Sequence, residues 1–267
     1  MPLSGNSSTA LGDRPYDSEA AVLSDVARTF QQALVPPLAS SIGGLECLTR
    51  YRPGDRRMLV GGDFIDVIEA PQGGVAWVVG DVAGHGPVAA AMGIGLRASW
   101  RTVVCGHTEP DDWLDRMEVV FDSLPRSNEL FVTLCTGLIA PDFASAVVLS
   151  AGHPPPIVLV DAARPVEVKP TLPLGISEGK RDWAVVDVTL GPRWALLAYT
   201  DGLIEGRRAP GASQRYGVES LTAWLDGVDP AGIGAPEIDE LIRDIESANG
   251  GAVDDDVAVL LLSCQPS

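Results

Sequence analysis

"GGDFIDVIEAPQGGVAWVVGDVAGHGP", residues 61–87, holds two apolar runs joined by Gln72-Gly73-Gly74. Two such runs around a Gly-containing turn predict an antiparallel hairpin, with strands over residues 61–70 and 74–82. Gly84-His85-Gly86 breaks the strand pattern, and Pro87 suits the first turn of a helix. Ala89, Ala90, Met92, Ile94, Leu96 and Ala98 then mark a long, mostly buried helix, with Gly93 and Gly95 as its weak points. The second strand ends on a carboxylate, Asp81, directly after an apolar run.

The same texture extends both ways. Upstream, Val22, Leu23, Val26, Ala27, Phe30 and Leu34 fall at helical spacing, and Pro36-Pro37 stops the pattern, predicting one amphipathic helix within residues 17–38. Residues 1–16 are polar and read as a flexible tail. A strand is expected over 45–53. Downstream, a second helix is expected at 111–124, strands at 129–140, 145–153, near 157, 183–190 and 193–200, helices at 216–226 and 236–248, and a last buried strand after Asp254-Asp255-Asp256. Consecutive antiparallel strands interrupted by paired helices argue for an α+β layered domain over residues 40–264, against a doubly wound parallel sheet.

Composition narrows the partners. The formal net charge of −17 disfavours nucleic acid and anionic membrane surfaces. Residues 1–16 lack the basic start and apolar run of a signal peptide, and no apolar stretch reaches about 18 residues, so no membrane span is expected. Cys47, Cys105, Cys135 and Cys264 form no CxxC pair and read as reduced thiols in a cytoplasmic protein.

Several acidic residues adjoin apolar strands: Asp63 after Gly61-Gly62, Asp81 after "VAWVVG", Asp201 after "LLAYT", and the triplet Asp254, Asp255, Asp256 before "VAVLLL". An isolated Asp-Gly such as Asp201-Gly202 is ordinarily a turn. Several carboxylates at apolar strand ends, with no arginine nearby in sequence for Asp63, Asp81 or Asp201, instead suggest convergence on shared divalent cations. Aspartate oxygens suit Mg²⁺ or Mn²⁺, and two such ions can activate water against a phosphoester. Asp81 and Asp201 are the candidate catalytic carboxylates. Thr200 is expected to orient Asp201, and His85 and His153 are read as structural. The cysteines lack a phosphate-cradling loop.

"VGGDFIDV", "VVGDVAGHGPVAAA", "LFVTLCTGLI", "LSAGHPPPIVL", "LPLGI", "LLAYTDGLIEG" and "DDDVAVLLL" occur in this order, and together the chain resembles the SpoIIE-type branch of the metal-dependent (PPM, protein phosphatase 2C-like) serine/threonine phosphatases. The resemblance covers roughly residues 42–263. It implies an αββα sandwich of two antiparallel sheets flanked by helices. It also implies a pair of Mn²⁺ or Mg²⁺ ions held by Asp63, Asp81, the Val82 carbonyl, Asp201 and Asp255, with the choice among Asp254, Asp255 and Asp256 left open by a one-residue shift. The general-acid histidine of animal relatives falls here on Ala83, and their phosphate-gripping arginine has no evident counterpart. The implied substrate is a phosphorylated anti-anti-sigma (STAS-type) protein. The implied alternative is a catalytically weak, phosphatase-like binding module in a sigma-factor partner switch. The N-terminal helix is expected to regulate the domain or to form a homodimer.

Overall fold

The computed structural model describes residues 15–38, 40–54, 61–106, 109–124, 130–176, 183, 185–230 and 232–264. Helix α1 (Pro15–Leu34) leads into strands β1 (Ser41–Ile42) and β2 (Leu45–Arg52), then the hairpin β3 (Phe64–Glu69) and β4 (Val75–Val82). Helices α2 (Pro87–Cys105) and α3 (Trp113–Ser123) precede β5 (Val132–Ile139), β6 (Ser145–Ala151), β7 (Ile157–Leu159), β8 (Ala163–Pro165), β9 (Val185–Thr189) and β10 (Trp194–Tyr199). Helices α4 (Gly202–Glu205), α5 (Gly217–Leu225) and α6 (Ala235–Asn249) and strand β11 (Val257–Cys264) complete the order.

The named strands form two antiparallel sheets, ordered β1-β2-β11-β10-β7-β8 and β3-β4-β5-β6-β9. Period-two alternation distributes the side chains among layers. On β4, Val75, Trp77 and Val79 enter the core between the sheets, while Ala76, Val78 and Val82 meet α2 and α3 on the outside. On β10 and β11, Leu196, Ala198, Leu260 and Leu262 point between the sheets, and Leu197, Tyr199, Val259 and Leu261 pack against Leu221, Ile238, Leu241 and Ile242 of α5 and α6. These strands are apolar throughout because both faces are covered. The result is the expected α+β architecture, helices outside and two sheets inside.

Short elements escaped the sequence pattern. Strands β1 and β8, of 2 and 3 residues, are too brief for periodicity to register. Residues 202–205, read as a turn after Asp201, form a single helical turn. Gly93 is a contact rather than a weakness: a Cβ there would lie 2.7 Å from both the Gly62 carbonyl oxygen and Leu34 Cδ2, so its bareness lets α1 and the segment before β3 close on α2. The tail expected over 1–16, up to residue 14, and residues 129 and 184 of two expected strands lie outside the described residues.

Candidate metal centre

Antiparallel register decides where the acidic side chains go. Phe64 pairs with Gly80, so Asp63, one residue before β3, lies beside Asp81 near the exit of β4. Tyr199 pairs with Val259, so the exit of β10 at Thr200 and Asp201 lies beside the entry to β11 at Asp255 and Asp256. Facing sheets bring both sets of ends to one rim. There a basin of about 470 Å³ is lined by Asp81, His85, Glu205, Arg215, Asp255 and Asp256, among others.

Bare backbone lets this rim close. A Cβ on Gly61 would sit 1.3 Å from Asp256 Oδ2, and one on Gly202 would sit 2.0 Å from the Asp256 carbonyl oxygen. The Asp256 carboxylate therefore occupies the space that a side chain at residue 61 would need. Its Oδ1 accepts from the Gly54 amide at 3.0 Å. The Val82 carbonyl oxygen lies against the same segment, 2.5 Å from where a Gly62 Cβ would be.

Asp63 is 2% exposed. Thr200 Oγ1 donates to its Oδ2 at 2.7 Å and accepts from the Ala258 amide at 2.9 Å. This corrects the sequence expectation: the hydroxyl serves Asp63, across the sheet interface, and not its neighbour Asp201. Asp201 is fixed instead by its backbone, whose carbonyl accepts from the amides of Ile204 and Glu205 and opens α4.

Crowding of like charge perturbs these groups. Burial, then the charges of Asp81 and Asp256, hold the Asp63 carboxyl well above the usual carboxylate range. Asp81 is pushed up to about 7 by burial and then chiefly by Asp201. Asp201 is pushed up to about 6 by burial and the charges of Asp255 and Glu205. Asp256 is raised by burial, against the Gly54 hydrogen bond that lowers it.

The donor set fits hard divalent cations. Asp201, Glu205 and Asp255 each offer an oxygen, all within 4.8 Å of one another. Among the described residues the basin's lining carries one guanidinium, Arg215, and it is paired with Glu205. Repulsion among oxygen donors is what a cation relieves, and Mg²⁺ or Mn²⁺ takes such donors. All the sequence-predicted positions, Asp63, Asp81, Val82, Asp201 and Asp255, reach this rim. Of the triplet, Asp255 joins Asp201 and Glu205, while Asp256 is buried at 8% exposure. Glu205, Arg215 and Gly61 were missed. The quoted "TDGLIEG" contained Glu205, but only the helical turn of α4 brings it back over Asp201.

The two histidines part company. His85 is exposed and lines the basin. His153 is buried, with Nδ1 2.8 Å from Thr133 Oγ1 and Nε2 3.0 Å from the Tyr199 carbonyl oxygen. Burial pushes it down to about 4, so the ring is neutral at pH 7. A neutral ring satisfies both contacts if Nε2–H donates to Tyr199 and Nδ1 accepts from Thr133. Thr133 is the strand partner of Asp81, so His153 ties one sheet to the other beneath the carboxylates. Asp66, by contrast, is a structural carboxylate: fully buried, it pairs with Arg101 Nη2 at 2.6 Å and Arg97 Nη1 at 3.3 Å, under α2 and away from the rim. All four cysteines are free. Burial pushes the Cys47 thiol up to about 12 and raises Cys135 strongly, so neither is a thiolate at neutral pH.

Comparison with known proteins agrees with this architecture. The family model described as Stage II sporulation protein E (SpoIIE) matches residues 71–265. The RsbU and RsbW domains of a Mycobacterium tuberculosis protein are 28% identical, with a TM-score of 0.66 over 88% of this chain and 63% of that one. The SiaA-PP2C domain of Pseudomonas aeruginosa is 19% identical, with a TM-score of 0.77 over 94% of this chain and 99% of that one. The PP2C phosphatase domain and regulatory fragment of SpoIIE from Bacillus subtilis is 20% identical, with a TM-score of 0.70 over 82% of this chain and 62% of that one. The chain thus spans under two thirds of the mycobacterial and Bacillus chains. No described helix is long and apolar enough to cross a membrane.

Proposed function

The chain belongs to the SpoIIE family of PPM-type phosphoprotein phosphatases, and from that premise we propose that it removes phosphate from phosphoserine or phosphothreonine on a small regulatory protein of the anti-anti-sigma (STAS) type. The observation that carries this reading is the gathering of Asp63, Asp81, Asp201, Asp255 and Asp256 at one rim, with burial and mutual repulsion raising Asp63, Asp81, Asp201 and Asp256. Two Mn²⁺ or Mg²⁺ ions would be held by Asp63, Asp81, the Val82 carbonyl, Asp201 and Asp255. When bound, such ions acidify water toward neutral pH and neutralise phosphoryl oxygens.

The protein's own groups set the stage for that chemistry. Thr200 is fully buried and its hydroxyl is committed to Asp63 and Ala258, so it positions a carboxylate and is no nucleophile. No cysteine is among the described residues that line the basin, which argues against a cysteine route. His85 is exposed and lines the basin, four residues beyond Asp81. Partner switching is supported by the mycobacterial relative, in which RsbU and RsbW domains share one chain. The free thiols suit a reducing cytoplasm. Helix α1 supports a homodimer: Ala27 and Leu34 are buried, yet Val22 and Leu23 are each 60% exposed and Val26 48%.

The test is hydrolysis of p-nitrophenyl phosphate and of a phosphorylated STAS protein with Mn²⁺. Turnover should be lost, by at least about 10³-fold, in Asp81→Asn and Asp201→Asn. Binding of the phosphoprotein without turnover by the unaltered chain would replace the enzyme with a binding module.

A further inference from the structure

A phosphoryl dianion entering this basin meets Asp81, Glu205, Asp254, Asp255 and Asp256 on its walls, on a chain of net charge −17. Among the described residues Arg215 supplies the cationic side chain of that lining. It stands on the loop of residues 206–216, whose base is closed by the backbone bridge between Arg207 and Arg215 and by the Tyr216 amide donating to the Gly206 carbonyl at 2.7 Å. The loop is further pinned to α6, since the Arg207 amide donates to Asn249 Oδ1 at 3.1 Å. A fixed backbone thus carries a side chain that is 66% exposed.

The guanidinium is not idle. Its Nη1 donates to Glu205 Oε1, and Glu205 belongs to the oxygen cluster with Asp201 and Asp255. One nitrogen on one carboxylate oxygen leaves the second edge of the fork for a bidentate partner, which a phosphoryl group matches better than a lone carboxylate oxygen does. Of the three arginines on this loop, Arg207 turns its Nη1 to the Ala212 carbonyl at 3.1 Å and neither it nor Arg208 lines the basin, so Arg215 is the loop arginine that reaches it.

We propose that Arg215 is the phosphate-binding side chain of this site, exchanging Glu205 for the non-bridging oxygens of the substrate phosphoryl group and returning to Glu205 on release. The proposal rests on the phosphatase reading and adds to it the residue that grips the substrate. It makes the loop of residues 206–216 a determinant of affinity, whereas the carboxylates determine rate.

The experiment compares the unaltered chain with Arg215→Ala, Arg215→Lys and Arg193→Ala at saturating Mn²⁺. The last removes one positive charge from a surface pair with Asp229 outside the basin's lining. For p-nitrophenyl phosphate, Arg215→Ala should raise KM and the inhibition constant of inorganic phosphate about tenfold, with kcat within about threefold. Arg215→Lys, which keeps charge but loses the fork, should fall between, and Arg193→Ala should change neither constant. Calorimetric titration of inorganic phosphate into the Mn²⁺-loaded proteins should show the same tenfold weakening without any turnover. Unchanged KM and phosphate affinity in Arg215→Ala would overturn the proposal. So would a displaced Mn²⁺-activation midpoint with KM intact, because Arg215 would then merely hold Glu205 as a ligand. If the unaltered chain bound phosphate through Arg215 but hydrolysed nothing, the phosphatase reading would fall and the phosphate site would stand.

Discussion

Replacing Asp81 by asparagine should abolish activity and yet make the metal-free protein more stable. In the folded chain Asp81 is pushed from 3.8 up to about 7, so between those values the folded state binds a proton that the unfolded state has released. Stability is therefore highest in acid and falls as pH rises through that window. A shift of about 3 units at about 1.4 kcal/mol per unit gives a gross cost of order 4 kcal/mol at pH 8. Asparagine removes the charge but keeps a buried polar group, and Asp63, which hydrogen-bonds Asp81, ionises more readily once its neighbour is neutral. Halving the gross figure for these two effects leaves a gain of about 2 kcal/mol, or about 5 °C in Tm for a chain of this length. The assay is thermal denaturation in EDTA at pH 8 and pH 5, repeated with millimolar Mn²⁺. Asp81→Asn should melt higher at pH 8, the gap should narrow to under half by pH 5, and Mn²⁺ should reverse the order because the unaltered protein binds it and the variant scarcely does. A variant less stable than the parent in EDTA at pH 8, or a gain independent of pH, would refute the reasoning.

Thr200→Val should destabilise the protein by about 2–4 kcal/mol in urea denaturation, since a near-isosteric methyl replaces a donor to a buried carboxylate and an acceptor for the Ala258 amide. Thr200→Ser should recover most of that loss, and a cost below about 0.5 kcal/mol for the valine would contradict the contact. For the homodimer, Leu23→Glu places a charge on the exposed stripe of α1 and should halve the mass measured by light scattering without altering Tm at dilution; an unchanged mass equal to one chain before and after would remove α1 as a dimer contact.

Much of the layering was legible because it is a local property. Trp77 and Val78 face opposite sides of β4, and the alternation that sorts them is written in adjacent letters. Asp63, Asp81, Asp201 and Asp255 were legible for a similar reason: a carboxylate next to an apolar strand is conspicuous wherever the strand ends. Partnerships were not legible. Thr200 sits next to Asp201 in sequence and serves Asp63, 137 residues away, because register across two sheets outranks adjacency. Asp66, inside β3 and three residues on from Asp63, also adjoins apolar residues, and only the passage of α2 overhead supplies Arg97 and Arg101 and makes it structural. Gly61 reads as loop punctuation until the Asp256 carboxylate is seen in the space a side chain would fill.

These failures share a cause that bears on function. A cluster of carboxylates raises its own energy, so something must hold it together, and that support comes from residues with no chemistry of their own. Apolar ladders on β4, β10 and β11 fix where the strands end. His153, neutral and buried, ties the strand partner of Asp81 to the carbonyl of Tyr199, and Thr200 ties Asp63 to β11. Glycines at 61 and 202 remove the side chains that would keep the strand ends apart. The repulsion is thus confined to a rim whose backbone is held in place, and it is relieved by protonation in acid or by a bound cation at higher pH. On that argument the supports and the carboxylates should respond oppositely to substitution: removing a carboxylate stabilises the bare protein and removes metal affinity, whereas removing a support lowers stability first and metal affinity only as the rim loosens.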